Sequence, residues 1–442
     1  MSESTSQIEH REFTGEEVRV HIHQKPACKI EMTVHASPNM IKEAKKNATK
    51  NVSKEVTLPG FRKGKAPSDL ILKKFPADVE KHLHKALADL AFVAAQKVAK
   101  VPVLNNNSPI SFDLKKQNPE EGAELLFTFE TEPVMPHIDP SKFIAKAVER
   151  PEVADKQIDE AIRQMRFFYT KWKSVEDRPI QDGDYIMINL DTVEGDEVQN
   201  VFNQIRFEVS KERMADWMKK LVAGAKSGDV LEGLSEADET ASEEEKKEFK
   251  PKNVRLTILK VEEADLPPLD DEFAIKVGAT DLANMRESIT DLLNKQADDK
   301  VKTELREQVN EFLVNEYNFE LPQSLIDTEK KHRLNQAMGN PKFKAQWNKM
   351  SQDERKEHET AMDLESNQAV RLFYLSRHTI NEQKIPVTHQ EVQNEAVSIY
   401  QAHGQRSPDF DNLPKEIYAL ALSKVILAKA QDYIIDAPKK IT

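Results

Sequence analysis

The sequence is poor in cysteine, in glycine and in long apolar runs, and each shortage excludes a class of protein. The single cysteine, Cys28, excludes an internal disulfide and a metal site built from several cysteines. Twelve glycines in 442 residues are few for a large glycine-rich α/β enzyme. No stretch approaches the roughly 18 apolar residues of a membrane span, and residues 1–10 lack the apolar core of a signal peptide. We therefore expect a cytoplasmic protein without membrane contact.

Motifs for nucleotides and catalytic metals are also missing. The sequence has no Walker loop, no dinucleotide fingerprint and no zinc-protease motif. The adjacent carboxylates of residues 270–272 point in different directions and have no histidine nearby, which argues against a metal site. His358, His378 and His389 show no repeated ligand spacing. We expect no cofactor, no metal and no ATP cycle.

The chain is instead rich in charge, and the charge is unevenly distributed. Charged residues make up 32% of the sequence and the mean hydropathy is −0.64, a combination that favours long solvated helices. The length predicts about three domains. The net charge of −12 argues against a general nucleic-acid binder, yet residues 41–100 carry 14 Lys and Arg against 6 Asp and Glu, a net +8. One segment therefore presents a basic surface in an acidic protein.

The most informative stretch, residues 58–67, lies in this basic segment and reads LPGFRKGKAP. Its two glycines and two prolines favour a shaped turn over helix or strand. An apolar ring beside cations is typical of interface anchors, although an ordinary basic surface turn would have the same composition. From the residues alone both interpretations stay open.

Residues 60–67, GFRKGKAP, resemble the signature loop of the bacterial trigger factor family, chaperones that wait at the ribosomal exit tunnel. The resemblance implies that this loop binds the ribosomal protein beside the tunnel, with the neighbouring ribosomal RNA as a further contact. It assigns the ribosome-binding site to six residues: Gly60, Phe61, Arg62, Lys63, Gly64 and Lys65.

The surrounding sequence predicts an α+β domain over residues 14–133, preceded by a solvated tail at 1–13. Alternating apolar residues predict a hairpin, with Cys28 on one strand face together with Ile30, Met32 and Val34. Ser37-Pro38 predicts the start of a helix, and a second, longer helix follows Pro67. Two further strands are expected from Phe112 to Phe129. The loop would then lie between two helices.

Repeated prolines predict an extended linker over residues 134–150. A second α+β domain is expected at 151–262, with strands at 185–191, 201–209 and 254–261 and a helix around 214–221. In order and length it resembles the FKBP-type prolyl isomerase domain of trigger factors. An acidic stretch at 236–248 predicts a solvated excursion.

The pocket of this second domain departs from the family pattern. Rotating an X-Pro bond needs no nucleophile, acid or metal, only an apolar, largely aromatic pocket that favours the twisted amide. At the matching positions stand Leu190, Met214, Ala215, Trp217, Met218 and Val254. Aromatic residues of the family are replaced at Leu190, Met218 and Val254, while Trp217 could supply an aromatic wall. We expect isomerase activity to be weak or lost and the fold to be retained.

Residues 263–442 predict an all-helical domain. Residues 266–274, LPPLDDEFA, resemble the segment with which the family begins its C-terminal domain. A long helix should end before Pro322, and Ser351-x-x-Glu354 and Thr388-x-x-Glu391 are capping boxes. Apolar residues nearly all round the helix predict that it is central: Val370, Leu372, Phe373, Tyr374 and Leu375. We count five or six helices.

These features predict an elongated multidomain α+β protein: a ribosome-binding domain, an FKBP-like domain and a helical substrate-binding domain. The leading hypothesis is an ATP-independent chaperone that docks on the ribosome and holds nascent chains through weak apolar contacts. Whether the free protein forms a homodimer stays open. The alternatives are an active prolyl isomerase as the main function and a helical adaptor or scaffold that does not visit the ribosome.

Overall fold

The computed structural model describes residues 10–195, 197–237, 249–402 and 413–437. Their contacts divide the chain into two compact units, Met1–Val148 with Thr303–Thr442, and Glu149–Lys302. The first unit combines the amino-terminal sheet with most of the carboxy-terminal helices, so the three-domain boundaries stay a prediction. The predicted acidic excursion at 236–248 lies outside the described residues from 238 onward.

The amino-terminal part of the first unit is an antiparallel sheet covered by helices, as predicted. Its strand order is β1-β2-β3-β5-β4. The strands are β1 (His10–Thr14), β2 (Val18–Lys25), β3 (Lys29–Ala36), β4 (Ser111–Asn118) and β5 (Gly122–Glu130). The helices are α1 (Pro38–Glu55), α2 (Ser68–Lys74) and α3 (Pro76–Ala99). Val20, Met32, Val34, Leu125 and Phe127 alternate along their strands and are at most 2% exposed, so they form the centre of the core.

Two sequence predictions fail in this region. Residues 10–14 pair with β2, so the predicted tail through residue 13 is wrong from residue 10, and Phe13 packs against the core from this edge strand. The single helix predicted after Pro67 is two helices, separated at Phe75. Pro76 lacks an N–H and would clash inside a helix, and it therefore begins a new one.

Cys28 is buried as predicted, but it lies in the turn between β2 and β3 and not on a strand face. Cys28 and its neighbour Ala27 both have positive φ, 56° and 62°, which closes the hairpin. The thiol donates to the backbone carbonyl of Glu320, with Sγ and O 3.3 Å apart. Burial, with smaller contributions from the charges of Glu320 and Glu130, raises the pKa of the Cys28 thiol to about 12. The cysteine is thus a packed contact between the hairpin and the helical part of the unit.

The predicted linker is extended and packs along the helices. A short 3₁₀ turn, Pro140–Lys142, is its only helical element among the described residues 134–150. Ile138 and Phe143 are buried with apolar residues of the later helices. The backbone N–H of Asp139 donates to the Tyr317 hydroxyl at 2.9 Å, and burial raises the pKa of Tyr317. Up to residue 148 the segment is therefore part of the first unit.

The second unit contains an antiparallel sheet of order β6-β10-β7-β8, with β9 also paired to β10. Its strands are β6 (Lys171–Ser174), β7 (Tyr185–Glu194), β8 (Glu197–Glu208), β9 (Val230–Leu234) and β10 (Asn253–Asp265). Its shorter helices are α4 (Asp155–Phe168), α5 (Asp216–Val222) and α6 (Asp271–Lys276). The predicted order of strands around one helix is confirmed, whereas β6 and β9 are not among the predicted elements.

Two of the three carboxylates at residues 270–272 have structural roles at α6. Asp270 caps the helix by accepting from the Phe273 N–H at 2.9 Å, and Asp271 accepts from the Leu282 N–H at 2.9 Å. Among the described residues, no group of three His, Cys, Asp or Glu side chains has the arrangement of a metal site.

The remaining helices are α7 (Leu282–Glu316), α8 (Gln323–Met338), α9 (Pro341–Lys349), α10 (Gln352–Glu382), α11 (His389–Ala402) and α12 (Lys415–Asp436). Both predicted capping boxes form: the N–H of Ser351 donates to Glu354 and that of Thr388 to Glu391, at 2.7 and 2.8 Å. The described part of the chain after residue 263 has seven helices, more than the predicted five or six. The number is higher because it includes the short α6 and because Pro341 begins a separate helix, α9. No described helix is long and apolar enough to cross a membrane.

Candidate functional site

The loop between α1 and α2 consists of two successive tight turns. The Leu58 carbonyl accepts from the Phe61 N–H at 3.1 Å, and the Arg62 carbonyl accepts from the Lys65 N–H at 2.9 Å. The third residue of each turn is a glycine with positive φ, 87° at Gly60 and 81° at Gly64. Glycine at this position is what a type II turn requires. The sequence therefore dictates the shape of the loop.

Both ends of the loop are attached to the body of the unit. Leu58 is buried in the core and Ala66 packs against it. In the middle, the Gly64 N–H donates to the Ser53 carbonyl of α1, with N and O 2.8 Å apart. The prediction of a presented loop between two helices is confirmed, although the second helix is the short α2. The tip is held in one conformation without being covered.

The tip presents an apolar ring and three cations. Phe61 is 39% exposed, and Arg62, Lys63 and Lys65 are exposed as well. Within the described residues, no carboxylate forms an ion pair with any of these three cations. The ring and the charges are thus available to a partner, the combination that anchors protein interfaces.

The six candidate pocket residues of the second unit lie together in one hydrophobic cluster. Leu190, Met214, Met218 and Val254 are at most 5% exposed, whereas Ala215 and Trp217 lie partly buried at the edge of the cluster. Four of the six side chains are therefore packed in the core, and only Ala215 and Trp217 are partly exposed.

The second unit also has an aromatic cavity of about 590 Å³ that was not predicted from the sequence. The rings of Phe167, Trp172 and Tyr185 lie with centroids 5.1–6.0 Å apart. The Arg206 guanidinium covers Trp172 at 3.8 Å from the ring centroid and is paired with Glu262 at 2.6 Å. The aromatic-rich sequence at 167–172 was the available signal. The other cations that line the cavity are also paired, Arg163 with Glu208 and Arg213 with Glu160, so the cavity offers rings more than unpaired charge.

A second feature absent from the sequence predictions is an apolar groove of about 550 Å³ between α8, α10 and α12. Its apolar lining consists of Leu325, Ala369, Val370, Leu372, Phe373, Leu420 and Leu427. The prediction of a central helix at 370–375 holds for the fully buried Leu375, but Phe373 and Leu420 are exposed in the groove. Glu329 and Arg333 pair with each other at its rim. An apolar lining with a sparse polar rim suits apolar side chains of a peptide.

A loop of fixed shape with an exposed ring and cations, together with exposed apolar surfaces, is typical of a binding protein of the chaperone class. Sequence comparison agrees: the profile described as "Bacterial trigger factor protein (TF)" matches residues 18–165, and that of its C-terminus matches residues 281–429. The chain therefore belongs to the bacterial trigger factor family, and its general function is that of a ribosome-associated chaperone.

Similar proteins cover nearly the whole chain. Trigger factor of Protochlamydia amoebophila is 25% identical over 436 residues, 96% of this chain and 98% of that protein. Trigger factor of Chlamydia pneumoniae is 26% identical over 441 residues, 96% and 97% of the two chains. A solved structure of a trigger factor chaperone, described in a study of promiscuous substrate recognition in folding and assembly, is 18% identical. It aligns with a TM-score of 0.53 over 93% of this chain and 98% of its own, which shows the same fold.

Proposed function

We propose that the protein docks at the ribosomal exit tunnel through residues 60–65 and holds newly synthesised chains open without ATP. The observation that carries the proposal is the two-turn loop, which fixes an exposed Phe61 beside cations that have no ion pair among the described residues. The ring would enter an apolar pocket of the ribosomal protein, and Arg62 and Lys63 would pair with its carboxylates. The same proposal places the protein in the cytoplasm.

The apolar groove lined by Phe373 and Leu420 is our proposed holding surface for clients. Burying about 300 Å² of apolar client surface at about 25 cal/mol per Å² gives about 7 kcal/mol before the costs of association. Those costs are about 4–15 kcal/mol, so a single contact is weak and releases quickly. Docking on the ribosome raises the effective client concentration to about the millimolar range, and transient holding then needs no ATP.

Docking is tested by co-sedimentation of the full chain with ribosomes. Changing Phe61, Arg62 and Lys63 together to alanine should abolish most binding. The matched control changes Phe249, Lys250 and Lys252 to alanine, which removes a comparably exposed ring (40%) and two cations elsewhere. Equal binding by both variants would exclude the loop as the docking site.

The chaperone hypothesis and the adaptor alternative differ in whether the activity depends on ribosomes. A client protein diluted from denaturant should aggregate less with the chaperone present. In a translating extract with a limiting concentration of the protein, the variant with Phe61, Arg62 and Lys63 changed to alanine should suppress client aggregation less than the wild type. Equal suppression by the variant and the wild type would favour an adaptor or scaffold that does not bind the ribosome.

We further propose that isomerase activity is weak or absent. Leu190, Met218 and Val254 fill the core where an isomerase needs an open aromatic pocket. Isomerisation of a proline tetrapeptide by the full chain should run close to the uncatalysed rate. A rate well above the uncatalysed rate would overturn this proposal. If changing Trp217 to alanine then abolished the activity, Trp217 would be identified as a residue of the substrate pocket.

A further inference from the structure

Strand β8 has a free edge, and the central part of this strand carries no charge. It pairs with β7 and with no other strand of the described residues. Residues 198–205 read VQNVFNQI, eight successive uncharged residues in a chain of which 32% are charged. The other described strands with a single neighbour are β1, β4, β6 and β9, and each has at most two uncharged residues in succession. We call residues 198–205 the uncharged edge.

The uncharged edge exposes large apolar side chains where edge strands of other proteins usually have protecting charges. Four of these side chains are 37–54% exposed: Val198, Val201, Phe202 and Ile205. Phe202 and Ile205 lie opposite Leu190 and Ile188 of β7, which are buried in the core of the second unit. Opposite residues of paired strands point to the same face of a sheet. The apolar face of the sheet therefore continues onto β8, where the described residues leave it exposed.

The sequence of the uncharged edge is a chemical palindrome. When the edge is placed antiparallel to a copy of itself, with a twofold axis between Val201 and Phe202, every residue meets a residue of its own kind. The four kinds of pair are Val198 with Ile205, Gln199 with Gln204, Asn200 with Asn203, and Val201 with Phe202. Identical subunits related by a twofold axis contact each other through the same surface. This self-complementarity favours a second copy of the chain over an unrelated peptide.

We propose that β8 pairs edge to edge with β8 of a second copy of this chain, antiparallel and in the register of the palindrome. The apolar pairs would cover the side chains that are exposed in the single chain. The amides of the Gln and Asn pairs can donate to and accept from each other. No like charges meet across the axis, because the edge has none and the flanking Glu197 would lie opposite Arg206.

The proposed contact is small, and the dimer should therefore be weak. Eight residues of strand are about 27 Å long and a sheet is about 10 Å thick, so the pairing covers about 500 Å² summed over both copies. Stable interfaces bury about 1,200–2,000 Å². Irregular pairing with β7 between residues 200 and 205 also bends the strand, so side-chain pairs contribute more than a continuous backbone ladder. We expect a dissociation constant of about 1 μM or above.

The first test measures the oligomeric state of the full-length protein by sedimentation velocity. The wild type should change from monomer to dimer between about 1 and 200 μM. Val198→Lys together with Val201→Lys should weaken this association at least about tenfold, because four apolar contacts are lost across the twofold axis. The matched control, Val230→Lys with Leu234→Lys, alters two similarly exposed residues of β9 and should dimerise like the wild type.

The second test determines the register by cross-linking. The one native cysteine, Cys28, is buried, so an added exposed cysteine is the reactive one. Asn200→Cys mixed with Asn203→Cys should form a disulfide-linked dimer several-fold faster than either variant alone. Residues 200 and 203 of two copies would be directly opposite, about 4.5–5.5 Å apart between Cα atoms, which suits a disulfide. Two copies of the same variant would have their cysteines about 10 Å apart along the strands.

Three results would overturn the proposal. One is a wild type that stays monomeric over the whole concentration range. Another is a dimer that the β8 lysines do not weaken, or a mixed cysteine pair that links no faster than the single variants, since the contact would then use another surface or register. The third is a monomeric protein whose suppression of client aggregation falls with the β8 lysines, which would make a client segment the occupant. If circular dichroism shows that the lysine variant does not fold, the cysteine pair decides.

Discussion

The backbone of the docking loop can be perturbed without removing any of its contact side chains. Gly64 has a φ of +81°, and a Cβ there would meet only Lys54, with Cγ at an ordinary 3.6 Å. Gly64→Ala therefore adds conformational strain and no serious clash. A non-glycine residue in the left-handed region costs about 1–2 kcal/mol. We expect the substitution to shift the loop away from its docking conformation.

The cost translates into a change of affinity. A penalty of about 1–2 kcal/mol corresponds to a factor of about 5–30 in an equilibrium constant. If the native loop loses this much population, the apparent affinity for the ribosome falls by a comparable factor, because only the competent fraction binds. The melting temperature should change little, since an exposed loop can open without global unfolding. Ribosome co-sedimentation at several protein concentrations measures the affinity, and circular dichroism measures the melting temperature.

Gly183→Ala is the matched control. Gly183 also has a positive φ, +91°, and a Cβ added there would have nothing within 4 Å, but it lies in the second unit before β7. It should carry the same strain and leave ribosome binding unchanged. If Gly64→Ala and wild type bind equally, the fixed shape of the loop is irrelevant to docking. A loss of affinity shared by both variants would indicate a general folding defect.

Three further predictions concern the rest of the chain. Because burial raises the pKa of Cys28 to about 12, iodoacetamide at about pH 8 should modify it far more slowly in the native protein than in urea; equal rates would contradict the burial. Hydrogen bonds from Lys429 and Thr388 lower the pKa of Glu391 to about 2, so its contribution to stability is full above its usual pKa of 4.5 and is lost as the pH falls toward 2. The melting-temperature difference between wild type and Glu391→Gln should shrink over that interval, and a constant difference would refute the linkage. Phe373→Asn with Leu420→Asn should reduce suppression of client aggregation and leave ribosome binding intact; unchanged suppression would exclude the groove as the holding surface.

Turns and helix caps can be predicted from the sequence, whereas contacts between residues far apart in the chain cannot. The two turns of the loop follow from the positions of Gly60 and Gly64, and both capping boxes follow from residues three apart. The prediction put Cys28 on the wrong part of its hairpin because the left-handed turn involves Ala27, a residue that rarely adopts it. The contact of Cys28 with Glu320 joins residues 292 apart, which no local pattern specifies.

The apolar groove is a candidate functional surface that local sequence patterns also did not predict. Five of the six residues from Val370 to Leu375 are apolar or aromatic, and a helix of this kind is ordinarily buried nearly all round. Phe373 is exposed in the groove between α8, α10 and α12, and the position of this groove depends on how the three helices pack and not on the local sequence. The loop and the groove belong to the same compact unit, although Phe61 and Phe373 lie far apart in the sequence. The surfaces proposed for docking and for holding clients therefore both belong to the first unit.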